Sequence, residues 1–455
     1  MELDWLRNGY PRSQMYRDKP FFINSSWTLN GMPIDVPFPP ESSASHWNGQ
    51  PDGHYHYETA FTFSQIMDKP RVFLHFGAVD QTASVLLNGQ LLGQHEGGYL
   101  PFCYEITGIV REGRNTLSVD VQDTFDHIYP YGKQSENPKG MWYTGVSGIW
   151  QPVWLETVPE QFLSDIQIRS SLSGIDIRLE SETTGPADVV IKGDTYHLST
   201  NCWHSIEIMD PEHWTPEHPK LYPVAVVFGQ DHVRSYFALR TVEIREMPGG
   251  HSLICLNGQP VYLHGLLDQG YFPEGIYTAA DPKQYETDIL NAKALGFNTL
   301  RKHIKIEADV FYALCDLHGI LVLQDMVNSG PYSYIRDTVL ANLGLKYHHE
   351  KQSIEGKRES FFVEHCKGIQ AHLGNHPCII GYTIFNEGWG QFATSSVFLL
   401  LKANDPSRFY ISASGWYKGY ETDVDSEHVY FRNKVLHADK RPLLLSECGG
   451  FPFDL

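Results

Sequence analysis

Apolar residues recur in two different rhythms along this chain, and the change falls near residue 248. Before it, short runs alternate apolar and polar positions: Tyr57 to Phe63, Val72 to Phe76, Ala83 to Leu87, Thr116 to Val121 and Val153 to Glu156. Period-two runs broken by Gly, Pro and Asn predict half-buried strands, here a jelly-roll-like β-sandwich over residues 1–158. Asn88-Gly89, between Val85-Leu86-Leu87 and Leu91-Leu92, predicts a two-residue hairpin whose turn positions both need positive φ. A second all-β stretch, 159–247, has strands at Ile166 to Arg169, Ile175 to Leu179, Val189 to Ile191, Val224 to Phe228 and Ser235 to Leu239. Its size is that of an immunoglobulin-like sandwich.

After Pro248-Gly249-Gly250, strands alternate with helices, the pattern of βα units around a parallel sheet. The clearest helix covers 282–295. Asp281 caps it, Pro282 takes the first turn, Gln284 completes a capping box, and Tyr285, Ile289, Ala292 and Leu295 share one face. The next carries Val310, Leu314 and Leu317 and stops at Gly319, a left-handed C-cap. Strands are expected at 261–265, 297–301, 320–325, 379–386, 409–414, 427–431 and 442–447. Together they predict a C-terminal (β/α)8 TIM barrel over 248–455 that lacks its last βα unit, with two strand edges uncovered. Association into a homo-oligomer is one way to cover such an edge. Met326 to Lys351 reads as an irregular connection after the third strand, on the side where barrels carry active sites, and so as a pocket wall.

A multidomain protein of this kind agrees with 455 residues, too many for one core of ordinary size. The 10 Trp, 25 Tyr and 24 Phe exceed what core filling asks, and rings with a polar edge suit stacking on sugars, although sandwich cores absorb most of them. A net charge of −19 opposes nucleic acid and anionic lipid as partners, since both need clustered Lys and Arg. Seven scattered cysteines without a CxxC pair point to a reducing compartment, and a polar start from Met1 to Pro20 with no long apolar run points to a cytoplasmic, membrane-free protein. Metal chemistry is not expected: HExxH is absent, and His348-His349-Glu350 sits in the long connection with nothing to mark a site. Gly97-Gly98 and Gly249-Gly250 read as turns, not phosphate loops, so no cofactor is implied.

Cleaving a glycosidic bond takes two carboxyl groups, one protonated to assist the leaving oxygen and one ionised to attack or to activate water. In a barrel they belong at C-terminal strand ends. Two glutamates qualify. The apolar run Ile380 to Phe385 ends in Asn386-Glu387-Gly388-Trp389-Gly390, and Pro442 to Ser446 ends in Glu447-Cys448-Gly449-Gly450. Burial beside apolar residues and Trp389 is expected to raise the pKa of Glu387, as suits an acid.

Phe385 to Gln391 resembles the acid/base signature of glycoside hydrolase family 2, the group of β-galactosidases, β-glucuronidases and β-mannosidases. Leu445 to Gly450 is similar to its nucleophile strand, with Cys448 where an aromatic residue more often stands. His75-Phe76-Gly77-Ala78-Val79-Asp80, His95-Glu96-Gly97-Gly98-Tyr99 and Trp142-Tyr143 with Ser147 to Glu156 resemble the family's N-terminal sugar-binding sandwich. Trp214-Thr215-Pro216 to Tyr222 resembles its middle domain, so the likeness follows the family's domain order.

The resemblance implies Glu387 as acid/base and Glu447 as nucleophile of a retaining exo-glycosidase acting on terminal, β-linked sugar. It also implies Asn386 as donor to the sugar 2-hydroxyl, Arg301 as the residue orienting the nucleophile, and His303 as the family's nearby histidine. Tyr430 is implied as a hydrogen-bond partner of Glu447, Asp268 and Gln269 as hydroxyl ligands, and Trp389 and Trp416 as pocket aromatics. For Asp325, at the end of the third strand, functional and structural roles balance, and Lys302 and Lys305 read as solvated charges. A noncatalytic carbohydrate-binding or truncated inactive homologue and a transglycosidase remain as alternatives. The Asn-x-Lys element of uronate-cleaving members would lie beyond Leu455, so the sugar stays open.

Overall fold

A computed structural model describes residues 3–17, 20–24, 26–65, 69–340, 343, 352–430, 435–438 and 440–449. His348, His349, Glu350 and Gly450 lie outside them, as do the end of the long connection and the last residue of the strand expected at 427–431.

Strand His54–Phe63 shows why the first region is a sandwich. Tyr55, Tyr57, Thr59, Phe61 and Phe63 are buried while their neighbours face out, and its whole length pairs antiparallel with Gly113–Gln122. These strands lie in a six-stranded sheet that packs on a four-stranded one containing Arg71–Phe76 and Val153–Val158; Leu74, Phe76, Val85 and Val119 fill the space between. Asn88 and Gly89 both have positive φ, at 53° and 78°, as the hairpin between Thr82–Leu87 and Gln90–Glu96 demands. The second sandwich is a three-stranded and a four-stranded sheet around Ile177, Val189, Val224 and Val226. Pro248-Gly249-Gly250 forms the turn of a hairpin between Val242–Glu246 and Ser252–Leu256.

The barrel strands are β1 (Gly265–Asp268), β2 (Thr299–Lys302), β3 (Leu321–Asp325), β4 (Ile379–Asn386), β5 (Phe409–Ser414), β6 (Asp425–Val429) and β7 (Leu443–Cys448). Strands β1 to β5 form one parallel sheet in sequence order, and β6 with β7 forms a separate parallel pair. Helices α1 (Lys283–Ala294), α2 (Asp309–His318), α3 (Lys357–Leu373) and α4 (Thr394–Asn404) make the crossovers up to β5. After α4 there is no further helix among the described residues.

Three sequence expectations shift. The first barrel strand begins at Gly265, not Val261, because the backbone of Val261 is spent on Ile254 of the preceding hairpin. Lys302 and Lys305 are not solvated: both are buried with Glu307, Lys302 at 3.0 Å and Lys305 at 2.9 Å from the same oxygen. At α1, Asp281 accepts the Lys283 N–H, and Gln284 accepts the N–H of Ala280, one residue earlier than a capping box requires. Gly319 has φ 72° and ends α2, with Pro216 O so close that a Cβ there would lie 2.6 Å away. Trp214, fully buried, donates to Asp316 O at 2.9 Å, so the Trp-Thr-Pro stretch is where the middle sandwich docks on α2. One apolar cluster accordingly runs through Trp150, Trp214, Ile289, Leu314 and Phe385, tying all three regions together.

Candidate active site

Strand β4 is buried along its whole length and delivers Asn386 to the barrel mouth. Directly after it Glu387 takes a left-handed φ of 54°, and Gly388 follows at 81°. A glutamate holds such a conformation only where its surroundings fix it. Here the Glu387 N–H donates to Ser414 O, and the Asn328 amide donates to the carbonyls of Asn386 and Trp389 at 3.4 and 3.2 Å. Glu447 arrives differently. The β6–β7 ladder slips after Glu427–Leu445, so that His428 pairs with Glu447 and Ser446 is the extra residue, a bulge that re-aims the following side chain.

Arg301, at the end of β2, is the hub. It donates to both oxygens of Asp325 (3.0 and 2.9 Å), to Glu447 Oε1 (2.8 Å), to Asn386 Oδ1 (3.0 Å) and to Ser414 Oγ (3.2 Å). The planar guanidinium suits several acceptors at fixed angles, which an ammonium could not serve at once. Ser414 also donates to Asn386 Oδ1, so that oxygen is doubly engaged and the Asn386 amide nitrogen points to Glu387 Oε2 at 3.4 Å, free to donate to a ligand. His428 Nε2 lies 3.4 Å from Arg301 Nη1, which can only donate. The ring proton is therefore on Nδ1, 3.0 Å from Glu387 Oε1.

The Tyr430 hydroxyl sits 2.7 Å from Glu387 Oε1 and 2.5 Å from Glu447 Oε2. One ligand atom each from Glu387, His428 and Glu447 lie within 4.8 Å of one another. That set could in principle hold a cation, but Arg301 and Lys133 already supply positive charge beside both carboxylates. For Asp325 burial opposes ionisation, yet Arg301 and His303 hold its pKa down to about 2. Burial likewise works against Glu447, and the Arg301 guanidinium 2.8 Å away keeps it below the usual carboxylate range. The rise expected for Glu387 is overturned. Burial does push upward, but the Lys133 ammonium 3.6 Å away and the His428 ring N–H carry the carboxyl below its ordinary value.

The structure thus gathers Glu387, Glu447, Asn386, Arg301, His303 and Tyr430 into one network. His303 is buried, 2.8 Å from Asp325, and burial first and Lys133 second keep it neutral. Trp416 packs edge-on to His428 and Tyr430. Three expected residues stand apart. Asp268 is 2.8 Å from Lys302 and caps the Gly270 N–H, because a buried ammonium has first claim on it. Gln269 is exposed with no contact to this network. Trp389 is fully buried under Tyr131 and Trp142, a support for the Glu387 loop that no sugar can stack on.

Sequence reasoning missed Lys133, Tyr143, Asn328, Ser414 and His428. The period-two spacing of His428 and Tyr430 could have revealed the histidine. Lys133 and Tyr143 come from the N-terminal sandwich, and nothing local marks them. Tyr143 stands 6.4 Å from the His303 ring; burial, then Glu447 and Glu387, push its hydroxyl pKa up.

Residues 39–151 match the glycosyl hydrolase 2 galactose-binding domain-like family, and residues 249–436 match the TIM barrel domain of glycosyl hydrolases family 2. With two sandwiches, a barrel and paired glutamates on β4 and β7, the chain belongs to glycoside hydrolase family 2. Among curated relatives, a putative β-glucuronidase of Formosa agariphila is 24% identical over 86% of this chain and 38% of its own length. A β-galactosidase of Thermoanaerobacter pseudethanolicus is 26% identical over 71% of this chain and 43% of its own. The chain spans 34 to 43% of the length of the curated relatives it matches. In fold it is similar to a β-D-glucuronidase from Dictyoglomus thermophilum (TM-score 0.78, 20% identity, 97% of this chain and 84% of that one). It is similar also to a β-galacturonidase from Eisenbergiella tayi (TM-score 0.70, 22% identity, 92% and 76%).

Proposed function

We propose that this chain is a retaining exo-glycosidase that hydrolyses terminal β-linked sugars, of the β-galactosidase and β-glucuronidase kind, by double displacement. The observation that carries this is the carboxylate spacing. Retaining enzymes hold the two groups about 5 to 5.5 Å apart and inverting ones about 6.5 to 9.5 Å, and here the nearest oxygens of Glu387 and Glu447 are within 4.8 Å.

Glu447 attacks the anomeric carbon while Glu387 gives its proton to the leaving oxygen, forming a glycosyl-enzyme ester. Glu387, now a base, takes a proton from water, which attacks the same carbon and releases the sugar and the Glu447 carboxylate. Arg301 and Tyr430 aim Glu447 and keep it ionised. Asn386 donates to a sugar hydroxyl, a bond that strengthens as positive charge grows at the ring. The names of the relatives put β-galactosides and β-glucuronides first among candidate substrates.

The test is a panel of chromogenic β-galactoside, glucuronide, glucoside, mannoside, galacturonide and α-L-arabinoside substrates, run beside Glu447→Ala. Turnover of one glycoside that disappears in the variant, with nuclear magnetic resonance showing a first product of the same anomeric configuration as the substrate, is the expected result. A first product of opposite configuration or no turnover by the folded protein would sink the proposal, the second result favouring a carbohydrate-binding role.

A further inference from the structure

Lys133 is an unusual lysine. Only 6% of its side chain is exposed, and among the described residues its ionic neighbour is Glu387 Oε2 at 3.6 Å, beyond a normal hydrogen bond. A buried ammonium with that little compensation is unfavourable to folding, so folding alone does not account for it. It is also carried to the site with care. The N–H groups of Tyr131 and Gly132 both donate to Asn328 O, at 3.0 and 3.1 Å, and the Tyr131 hydroxyl donates to Gly330 O at 2.9 Å. Gly132 has φ 64°, and a Cβ there would lie 2.9 Å from Ile304 O, so the loop approaches the barrel as closely as a glycine allows. Asn328 then turns its side chain to the carbonyls on either side of Glu387. One residue joins the sandwich loop to the acid/base loop.

We propose that Lys133 is a positioning residue for the acid/base step, a charge that the N-terminal sandwich delivers to the Glu387 carboxyl on the barrel. The inference rests on the retaining-glycosidase reading above. Besides Lys133, the groups facing Glu387 are His428 and Tyr430 from β6 and the residue after it, Glu447 from β7, Arg301 from β2 and Tyr143 from the sandwich. Of the two cations, Arg301 is committed to Asp325 and Glu447, so Lys133 is the one whose charge acts first on Glu387. It makes Glu387 a readier proton donor and confines the protonated form to lower pH.

The test compares Lys133→Met and Lys133→Gln with the unaltered chain on two glycosides of the sugar found by the panel, one with a dinitrophenyl and one with a phenyl leaving group. Dinitrophenolate departs without a proton and phenolate does not. Loss of the cation is expected to move the alkaline limb of kcat/KM for the phenyl glycoside upward by about 1 to 3 pH units, the size an opposite charge at contact distance has on a carboxyl. The dinitrophenyl profile should not follow, and Lys133→Arg should restore the original limb. An unmoved limb in whichever neutral variant folds, or an equal loss on both glycosides at every pH, overturns the proposal. Absence of turnover by the unaltered chain is instead the failure of the glycosidase reading, and the proposal falls with it.

Discussion

Replacing Tyr430 with phenylalanine removes one oxygen and leaves the ring its contacts with His428 and Trp416 at 5.8 and 6.5 Å. That oxygen is 2.5 Å from Glu447 Oε2 and 2.7 Å from Glu387 Oε1. A hydrogen bond to a charged acceptor contributes about 1.5 to 3 kcal/mol, and the effect depends on when Glu447 is charged. It is charged before the first step, loses that charge as the ester forms, and regains it as water displaces the sugar. The bond is therefore lost at the start of the first step but gained during the second, so its removal slows the second. With Arg301 still 2.8 Å from Glu447, the fall in kcat on a dinitrophenyl glycoside should be roughly 10-fold and at most about 150-fold. Stopped-flow absorbance should show a burst of phenolate followed by the slow steady state. A kcat within about twofold of the unaltered protein, or a loss confined to the first step, would refute this account of Tyr430.

Arg301→Lys keeps the charge but cannot serve Asp325, Glu447, Asn386 and Ser414 together. A kcat/KM loss of about 100-fold or more is expected, with a lowered melting temperature read by circular dichroism. His376 is buried 2.6 Å from Asp316. Although burial opposes its charge, Asp316 and Asp309 raise its pKa to about 9 from an ordinary 6.5. The raised value means stability is full below pH 6.5 and lost as pH climbs through 9, by about 3 kcal/mol. Urea titrations across that window should show the decline, and His376→Gln should flatten it.

Strands β4 and β5 coincide with the sequence reading because each is an unbroken apolar run ended by polar residues, and the Asn88-Gly89 hairpin followed from turn chemistry alone. The start of β1 did not, since Val261 to Leu263 is as apolar as a strand while its backbone partner belongs to the hairpin before it. At the site, Glu387 and Glu447 were legible as carboxylates at strand ends, and Arg301 and Tyr430 through the family resemblance. The electrostatic sign at Glu387 was not. The run before it is apolar, and the cation that decides the matter, Lys133, comes from the N-terminal sandwich. Nor could the bulge at Ser446 be read, as it exists only in the register between two strands.

Glu387 belongs to the five-stranded sheet and Glu447 to the separate pair β6–β7. No backbone ladder connects the two bodies among the described residues, and across the seam run side chains: Arg301 to Glu447, His428 and Tyr430 to Glu387. The catalytic gap is thus a joint, set by how two sheets are clamped and not by the pitch of one. On the proposed mechanism, loosening of the joint by an ångström would cost about 100-fold in rate while leaving each sheet's own hydrogen bonds intact, so the chemistry would be lost well before the fold.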